Sequence, residues 1–417
     1  MNRVFRNSGK KFIASPNLKS FLLLILAPAV LISLLPGIFA SGEQNLHVHQ
    51  AKSFLEGRLD IPRYYHDAAV FGGHCYVPFP PFPALVLLPF VALLGVTCTK
   101  TVLISIAFGV LSFIVLKRIL GKLTIPPRAA LWILAVFFGG TAYWFCLVRS
   151  THVWYYAHII AVACIFLAID EVLGRGRGLL AGCFLGIAFL SRQLSLYSLI
   201  FLLALLWEHP RNRRSSSRIN NSIGFIIPVL LCFGVYCVYN WVRFGDILDT
   251  GYYHIYAGYD YSTPEQPNIF LKDRILKYGL FHPAYVPFNF IHMFLQGFHL
   301  EFDPPAFLGG IRMNPFGTSL TFASPFVFVA LMARGKKTFI GAAWISIGLA
   351  IVHMMFYHTN GWSQVNSNRY SLDFLPVLIL LTALGTNRVK EGIWKAAIVY
   401  SIILNIVAIT IYSFGTK

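Results

Sequence analysis

This chain of 417 residues predicts an all-α polytopic membrane protein, on three observations. Hydrophobic residues make up 57% of it and charged ones 12%, about half the charged share of an average soluble domain. The apolar residues come in blocks, several reaching the roughly 20 residues needed to cross a bilayer, and the mean hydropathy is +0.65. The net charge of +18 gathers in short runs between those blocks, as at Lys10-Lys11, Lys117-Arg118, Arg211 to Arg218 and Arg334 to Lys337. Lys and Arg in such loops set membrane orientation. The basic excess therefore reports topology, and no nucleic-acid partner is expected. Six of the seven cysteines lie in or beside apolar segments and none forms a CxxC pair, so no disulfide framework is implied.

Taken in order, the basic N-terminus is expected inside, followed by a retained first span over 21–40 rather than a cleaved signal peptide. Residues 41–100 form a first outer loop with a charged half and an apolar, proline-rich half. Pro78, Pro80, Pro81, Pro83 and Pro89 argue against a regular spanning helix at the start of that apolar half. It reads as an interfacial or re-entrant segment, which leaves Lys117 and Arg118 inside. Spans are expected over 101–120, 129–148 and 153–172. The next thirty residues lie between two basic loops, so both ends belong inside. Two short helices meeting at Ser191-Arg192-Gln193 satisfy that, and they place an arginine at membrane depth. A span over 222–243 leads to a second large outer segment, 244–316, rich in aromatic residues and partly interfacial helix around Phe281 to Phe298. Spans over 317–333, 338–357, 371–386 and 393–413 complete about eleven. The whole chain is expected to be one membrane domain.

The outer face collects the polar residues that topology does not explain. Asp67, Asp60 and Glu43 in the first outer loop are candidate general bases, since an acceptor hydroxyl needs a carboxylate within hydrogen-bond reach. Asp67 ranks first, because the segment behind it can return it to the membrane surface. Arg369, where the last outer loop enters a span, and Arg192, at the helix break, suit contact with a phosphate. The alternatives are snorkelling for Arg369 and a structural pair with a carbonyl or carboxylate for Arg192. Arg243 reads as an interface anchor. His66 beside Asp67, and Asn368 and Tyr370 beside Arg369, are candidate substrate contacts. The histidines show no metal-binding spacing, so no cofactor is expected beyond a weakly held divalent cation on the outer carboxylates. No Walker A lysine motif and no GxGxxG in a βαβ setting occurs, so a sugar donor would be lipid-linked rather than nucleotide-linked.

Several stretches carry a family resemblance: Leu55-Glu56-Gly57-Arg58-Leu59-Asp60, the Pro-rich Tyr76 to Pro89, the break at Ser191-Arg192-Gln193, Tyr239-Asn240-Trp241-Val242-Arg243-Phe244-Gly245, and Asn368 to Pro376. Together they resemble the integral-membrane glycosyltransferases of the C superfamily, in particular bacterial relatives of the protein mannosyltransferase and aminoarabinose transferase families. The resemblance implies an inverting transfer from a polyprenyl-phosphate sugar on the outer side of a bacterial plasma membrane. A first-loop carboxylate would act as base (Glu43, Asp60 or Asp67), and Arg369, with Arg192, would hold the donor phosphate. Where many members carry an acidic pair after the first span, this chain reads Gly42-Glu43-Gln44-Asn45. A ligase or polymerase of lipid-linked glycans is the neighbouring enzymatic reading. A transporter or flippase is the non-enzymatic one, for which symmetric halves and polar residues at mid-bilayer would be expected.

Overall fold

The computed structural model describes residues 32–210, 215–257, 269–302, 311–314, 316–359, 361 and 366–414. Most of the expected first span, residues 21–31, lies outside them, and residues 32–39 are helical. The segment expected as the first outer loop opens with α1 (Leu46–Leu55), capped by the Asn45 side chain on the His47 N–H. Three short strands follow: β1 (Asp60–Ile61), β2 (Ala69–Phe71) and β3 (His74–Tyr76), in an antiparallel sheet of order β1-β3-β2. Gly72 and Gly73, both at positive φ, make the tight β2–β3 turn. A second antiparallel pair joins Leu300–Phe302 to Ile311–Met313. These small sheets are the departure from the all-α expectation. Their strands are two or three residues long, too short to show alternation in sequence.

The proline-rich segment becomes α2 (Phe82–Cys98), with Pro89 inside it and Gly95 at φ 73° breaking the helical path. Its regular part runs to Leu94, roughly 20 Å at 1.5 Å per residue, against a hydrocarbon core of about 30 Å. Next come α3 (Thr101–Lys122), then α4 (Pro127–Gly139) and α5 (Ala142–Val148), which are bent by 49° at their junction. The bend frees backbone carbonyls, which must find partners inside a bilayer. Thr141 Oγ1 donates to Phe137 O, Ser324 Oγ to Gly140 O, and Asn405 Nδ2 to Gly139 O and Thr141 O. The chain then forms α6 (Val153–Leu173), which is mostly buried and runs through the centre of the core.

The thirty-residue apolar run breaks as its flanking charges require. Here α7 (Gly178–Phe189) ends before Arg192, which is extended at φ −148° and ψ 112°. A 3-10 turn over Gln193–Tyr197 leads into α8 (Ser198–Trp207). The long α9 (Ser215–Phe244) packs on α7 across a glycine stripe. A Cβ at Gly178, Gly182 or Gly186 would lie 2.0 Å from Asn221 O, 2.2 Å from Phe225 O or 2.6 Å from Cys232 Sγ. Glycine at this four-residue spacing lets the two backbones touch.

The C-terminal third contributes α10 (Lys337–Phe356), α11 (Leu375–Gly385) and α12 (Glu391–Phe414). Among the described residues, five helices are long and apolar enough to cross a membrane: α3, α6, α9, α10 and α12. The bent pair α4–α5 makes six if taken as one span. The chain is thus a multi-pass membrane protein, with fewer full-length helices than the eleven spans expected. Apart from the first span, the remaining expected spans resolve into shorter pieces. The one over 317–333 is a four-residue helix, Leu320–Ala323, and a 3-10 stretch, Pro325–Met332. The one over 371–386 is α11 behind a 3-10 turn, Arg369–Asp373. Pro325 and Pro376 stand at the starts of these pieces, where proline is tolerated. The segment expected as interfacial helix around Phe281 to Phe298 holds only short helical turns over Pro283–Leu295.

Candidate functional site

The helix break, the C-terminal end of α9 and the segment leading into α11 converge on a cavity of about 320 Å³. Phe79 and Pro80, from the segment that follows β3, and Trp154 and Ala157 of α6 form one side. The break contributes Ser191 to Leu194, and α9 contributes Phe233, Tyr236, Cys237 and Asn240. Ile247, Leu248, Thr250, Tyr252, Phe281, His353, Tyr357, Arg369 and Tyr370 close much of the rest. Several wall residues are also exposed on the outside: Phe233 at 41%, Ile247 at 52% and Leu248 at 71%. The cavity therefore reaches the apolar surface beside α9, itself long and apolar enough to span a membrane.

Arg192 and Arg369 are the charged side chains of this wall among the described residues. Arg192 faces in because the chain is extended at the break. Its Nε and Nη2 donate to Asp373 Oδ1 and Oδ2 at 3.2 and 2.8 Å. His158 of α6 brings Nδ1 to 3.4 Å from Asp373 Oδ1, and both Asp373 and His158 are buried. The carboxylate thus balances one guanidinium from behind. Arg369 is positioned by the 3-10 turn, whose cap is the Asn368 side chain accepting from the Tyr370 N–H at 2.9 Å. Its Nη1 donates to Gly361 O at 2.7 Å. Its guanidinium carbon lies 5.2 Å from the Tyr155 ring centre and 5.3 Å from that of Tyr370. Arg192 lies 5.2 Å from the same Tyr370 ring. One tyrosine therefore holds both cations at its faces or edges, a favourable cation–π arrangement in a desolvated site.

The sequence candidates fall into four groups. Arg192, Arg369 and Tyr370 line the cavity. Asp67 and His66 adjoin it through Trp154. The indole Nε1 of that wall residue donates to Asp67 Oδ2 at 2.6 Å, and the His66 ring packs edge-on against the indole at 5.7 Å. His66 Nε2 lies 3.6 Å from Asp67 Oδ1. Asp67 has φ +66°, a left-handed backbone that Asp tolerates better than most residues. Asn368 is buried behind the wall and acts as a cap. Asp60 and Glu43 stand apart. Asp60 sits in β1 with His74 Nδ1 at 3.2 Å, and Glu43 accepts from Thr97 Oγ1 at 2.9 Å on an exposed turn.

Sequence reasoning missed three features. Asp373 reads as one more carboxylate of the last outer loop, yet it is the buried partner of Arg192; its four-residue spacing from Arg369 on one turn was the available signal. Trp154 carried no signal of its own. Arg243, expected at the interface, is 3% exposed and clamps the first loop to α9. It donates to Tyr239 O, Val77 O and Asn240 Oδ1 at 3.1, 2.7 and 2.9 Å. Among the described residues no group of three or more His, Cys, Asp or Glu could hold a metal ion. In α1, His47 is buried, with Nδ1 at 2.9 Å from Gln50 Oε1, and burial pushes its pKa down to about 4.

No protein-family model and no curated protein matches the chain. Among solved structures it is similar to ArnT from Cupriavidus metallidurans, in the apo state at 13% identity and bound to undecaprenyl phosphate at 14%. Each comparison has a TM-score of 0.47 and covers 91% of this chain. The chain spans 62% of the length of those two structures.

Proposed function

We propose that the protein is an integral-membrane glycosyltransferase that takes its sugar from a polyprenyl-phosphate donor. It would pass that sugar, with inversion, to an acceptor hydroxyl on the outer side of the membrane. The observation that carries this reading is the cavity itself. Two guanidiniums face into an aromatic wall that reaches the surface beside a candidate membrane-spanning helix. A phosphate on a long hydrocarbon chain matches that combination: the chain stays in lipid and the anion reaches the arginines.

In this scheme the donor phosphate lies against Arg369 and Arg192, with the sugar among Trp154, Tyr252, Tyr357 and Tyr370. The acceptor oxygen attacks the anomeric carbon from the face opposite the phosphate. The bond from that carbon to the phosphate oxygen breaks, and polyprenyl phosphate leaves with the electron pair. Guanidiniums placed where that negative charge grows stabilise the transition state. Asp67, held at the rim by Trp154, takes the acceptor proton. Its φ of +66° supports the assignment, since strained backbone persists where surrounding structure enforces it, often at functional sites.

The acceptor need not be identified for the test. Purified protein in lipid nanodiscs is given a polyprenyl-phosphate hexose and an envelope extract, and released polyprenyl phosphate is measured by mass spectrometry. Release is expected with the wild type and is expected to fall at least a hundredfold in Asp67→Asn. Full release in Asp67→Asn with loss in Asp60→Asn or Glu43→Gln would move the base. Full release in all three would end the carboxylate-base scheme.

A further inference from the structure

The charge pattern of the cavity also bears on which sugar the donor carries. We infer that the site takes a lipid-phosphate donor whose sugar is uncharged, and discriminates against one bearing an ammonium group. This rests on the lipid-phosphate reading above and narrows its substrate class.

Among the described residues, the wall carries Arg192 and Arg369 and no Asp or Glu. The other polar wall groups are amides, hydroxyls and an imidazole, such as Gln193, Asn240, Thr250 and Tyr252. Among the described residues three carboxylates touch wall residues from outside: Asp246 accepts from the Leu248 N–H at 2.8 Å, and the others are Asp373 and Asp67. Asp249, between wall residues Leu248 and Thr250, is held by the Gly251 N–H and by His254. Asp373 is engaged by both the Nε and Nη2 of Arg192. Asp67 is engaged by the Trp154 indole. A phosphodiester brings one negative charge to the two arginines. An ammonium on the sugar would enter the same low-dielectric space facing cations, where like charges repel far more strongly than in water. It would also lose its hydration without gaining a wall carboxylate, and a buried charge left unpaired is costly. If it recruited Asp67, it would compete for the proposed base. An uncharged ring meets none of these penalties. Its apolar faces can lie on Trp154 or Tyr252, and its hydroxyls can reach the neutral amides.

The experiment compares three synthetic donors on one polyprenyl phosphate: glucose, 6-amino-6-deoxyglucose and 6-acetamido-6-deoxyglucose. Each competes with fluorescent polyprenyl phosphate for wild-type protein in nanodiscs at pH 7. The amino donor is expected to bind at least tenfold more weakly than the glucose donor. The acetamido donor, larger but neutral, is expected to recover at least half of that loss on a logarithmic scale. In Arg369→Gln the amino penalty should shrink at least threefold. Equal or tighter binding of the amino donor overturns the inference and leaves the lipid-phosphate reading standing. An equal loss for the amino and acetamido donors also overturns it, since size would then decide. If bare polyprenyl phosphate shows no saturable binding in the wild type, the reading and the inference fall together.

Discussion

Removing the charge of Asp373 tests the electrostatics of the cavity floor most directly. Asp373→Asn keeps the side-chain volume and one carbonyl oxygen, but leaves the Arg192 guanidinium without its counterion. Asp373 is 2% exposed and the Arg192 side chain 15%, so solvent screens little of the loss. Two hydrogen bonds at 3.2 and 2.8 Å are at stake, each worth about 1.5–3 kcal/mol when charge-assisted. Breaking a buried pair from one side costs about 3–5 kcal/mol, because the surviving charge stays buried. The expected destabilisation is therefore about 3–5 kcal/mol, read by denaturant titration in mixed micelles with tryptophan fluorescence. Arg192→Met with Asp373→Leu should recover most of it, since an apolar pair of similar volume is often neutral. The single variant should still bind bare polyprenyl phosphate at least as tightly as wild type, because Arg192 then meets the phosphate without a competing carboxylate. The reasoning fails if Asp373→Asn lies within about 1 kcal/mol of wild type, a cost that surface pairs show, or if the double variant is no better than the single.

Three further outcomes are expected. Arg369→Gln should weaken binding of bare polyprenyl phosphate by about 10- to 100-fold, the loss of one charge-assisted contact, measured by fluorescent-lipid titration. His47 is held neutral by burial, with its pKa lowered to about 4 from 6.5. Between those values the unfolded chain binds a proton the folded one does not, so stability is full above pH 6.5 and falls as pH drops towards 4. From pH 7.5 to pH 5 that loss is about 2 kcal/mol, and His47→Gln should remove that part of the wild-type pH dependence in paired denaturant titrations. Gly182→Val places a Cβ that would meet Phe225 O at 2.2 Å, whereas a Cβ at Gly234 meets nothing within 4 Å. The first should sharply lower the apparent melting midpoint or abolish monodisperse protein on size-exclusion chromatography, and Gly234→Ala should leave both unchanged.

The helices that composition alone could place were legible. Those over 101–120, 153–172, 222–243, 338–357 and 393–413 match α3, α6, α9, α10 and α12 within a few residues at most ends, because continuous apolar length is a one-dimensional signal. The break at Arg192 was legible for a related reason: basic loops at both ends of a thirty-residue apolar run demand an internal reversal. The short strands around Cys75 were not, although Gly72-Gly73 between Phe71 and His74 is a hairpin signal in hindsight. The site was half legible. Arg192, Arg369 and Tyr370 stand out as polar groups in apolar surroundings. Their grouping depends on contacts across long sequence separations, such as Arg192 with Asp373, which no local pattern encodes. Trp154 reaching Asp67 across 87 residues is of the same kind.

The Arg192–Asp373 pair spans 181 residues of chain, and that separation sets an order of events during synthesis. At about 5–20 residues per second, the segment carrying Arg192 is made roughly 10–40 s before its counterion leaves the ribosome. A guanidinium at membrane depth without a partner is costly over that interval. The broken pair α7–α8 therefore has reason to wait near the bilayer surface, on the side of its flanking basic loops, until the last third of the chain arrives. Completion of the cavity is then the final act of assembly, and a chain truncated before Asp373 should stall with that reversal undocked.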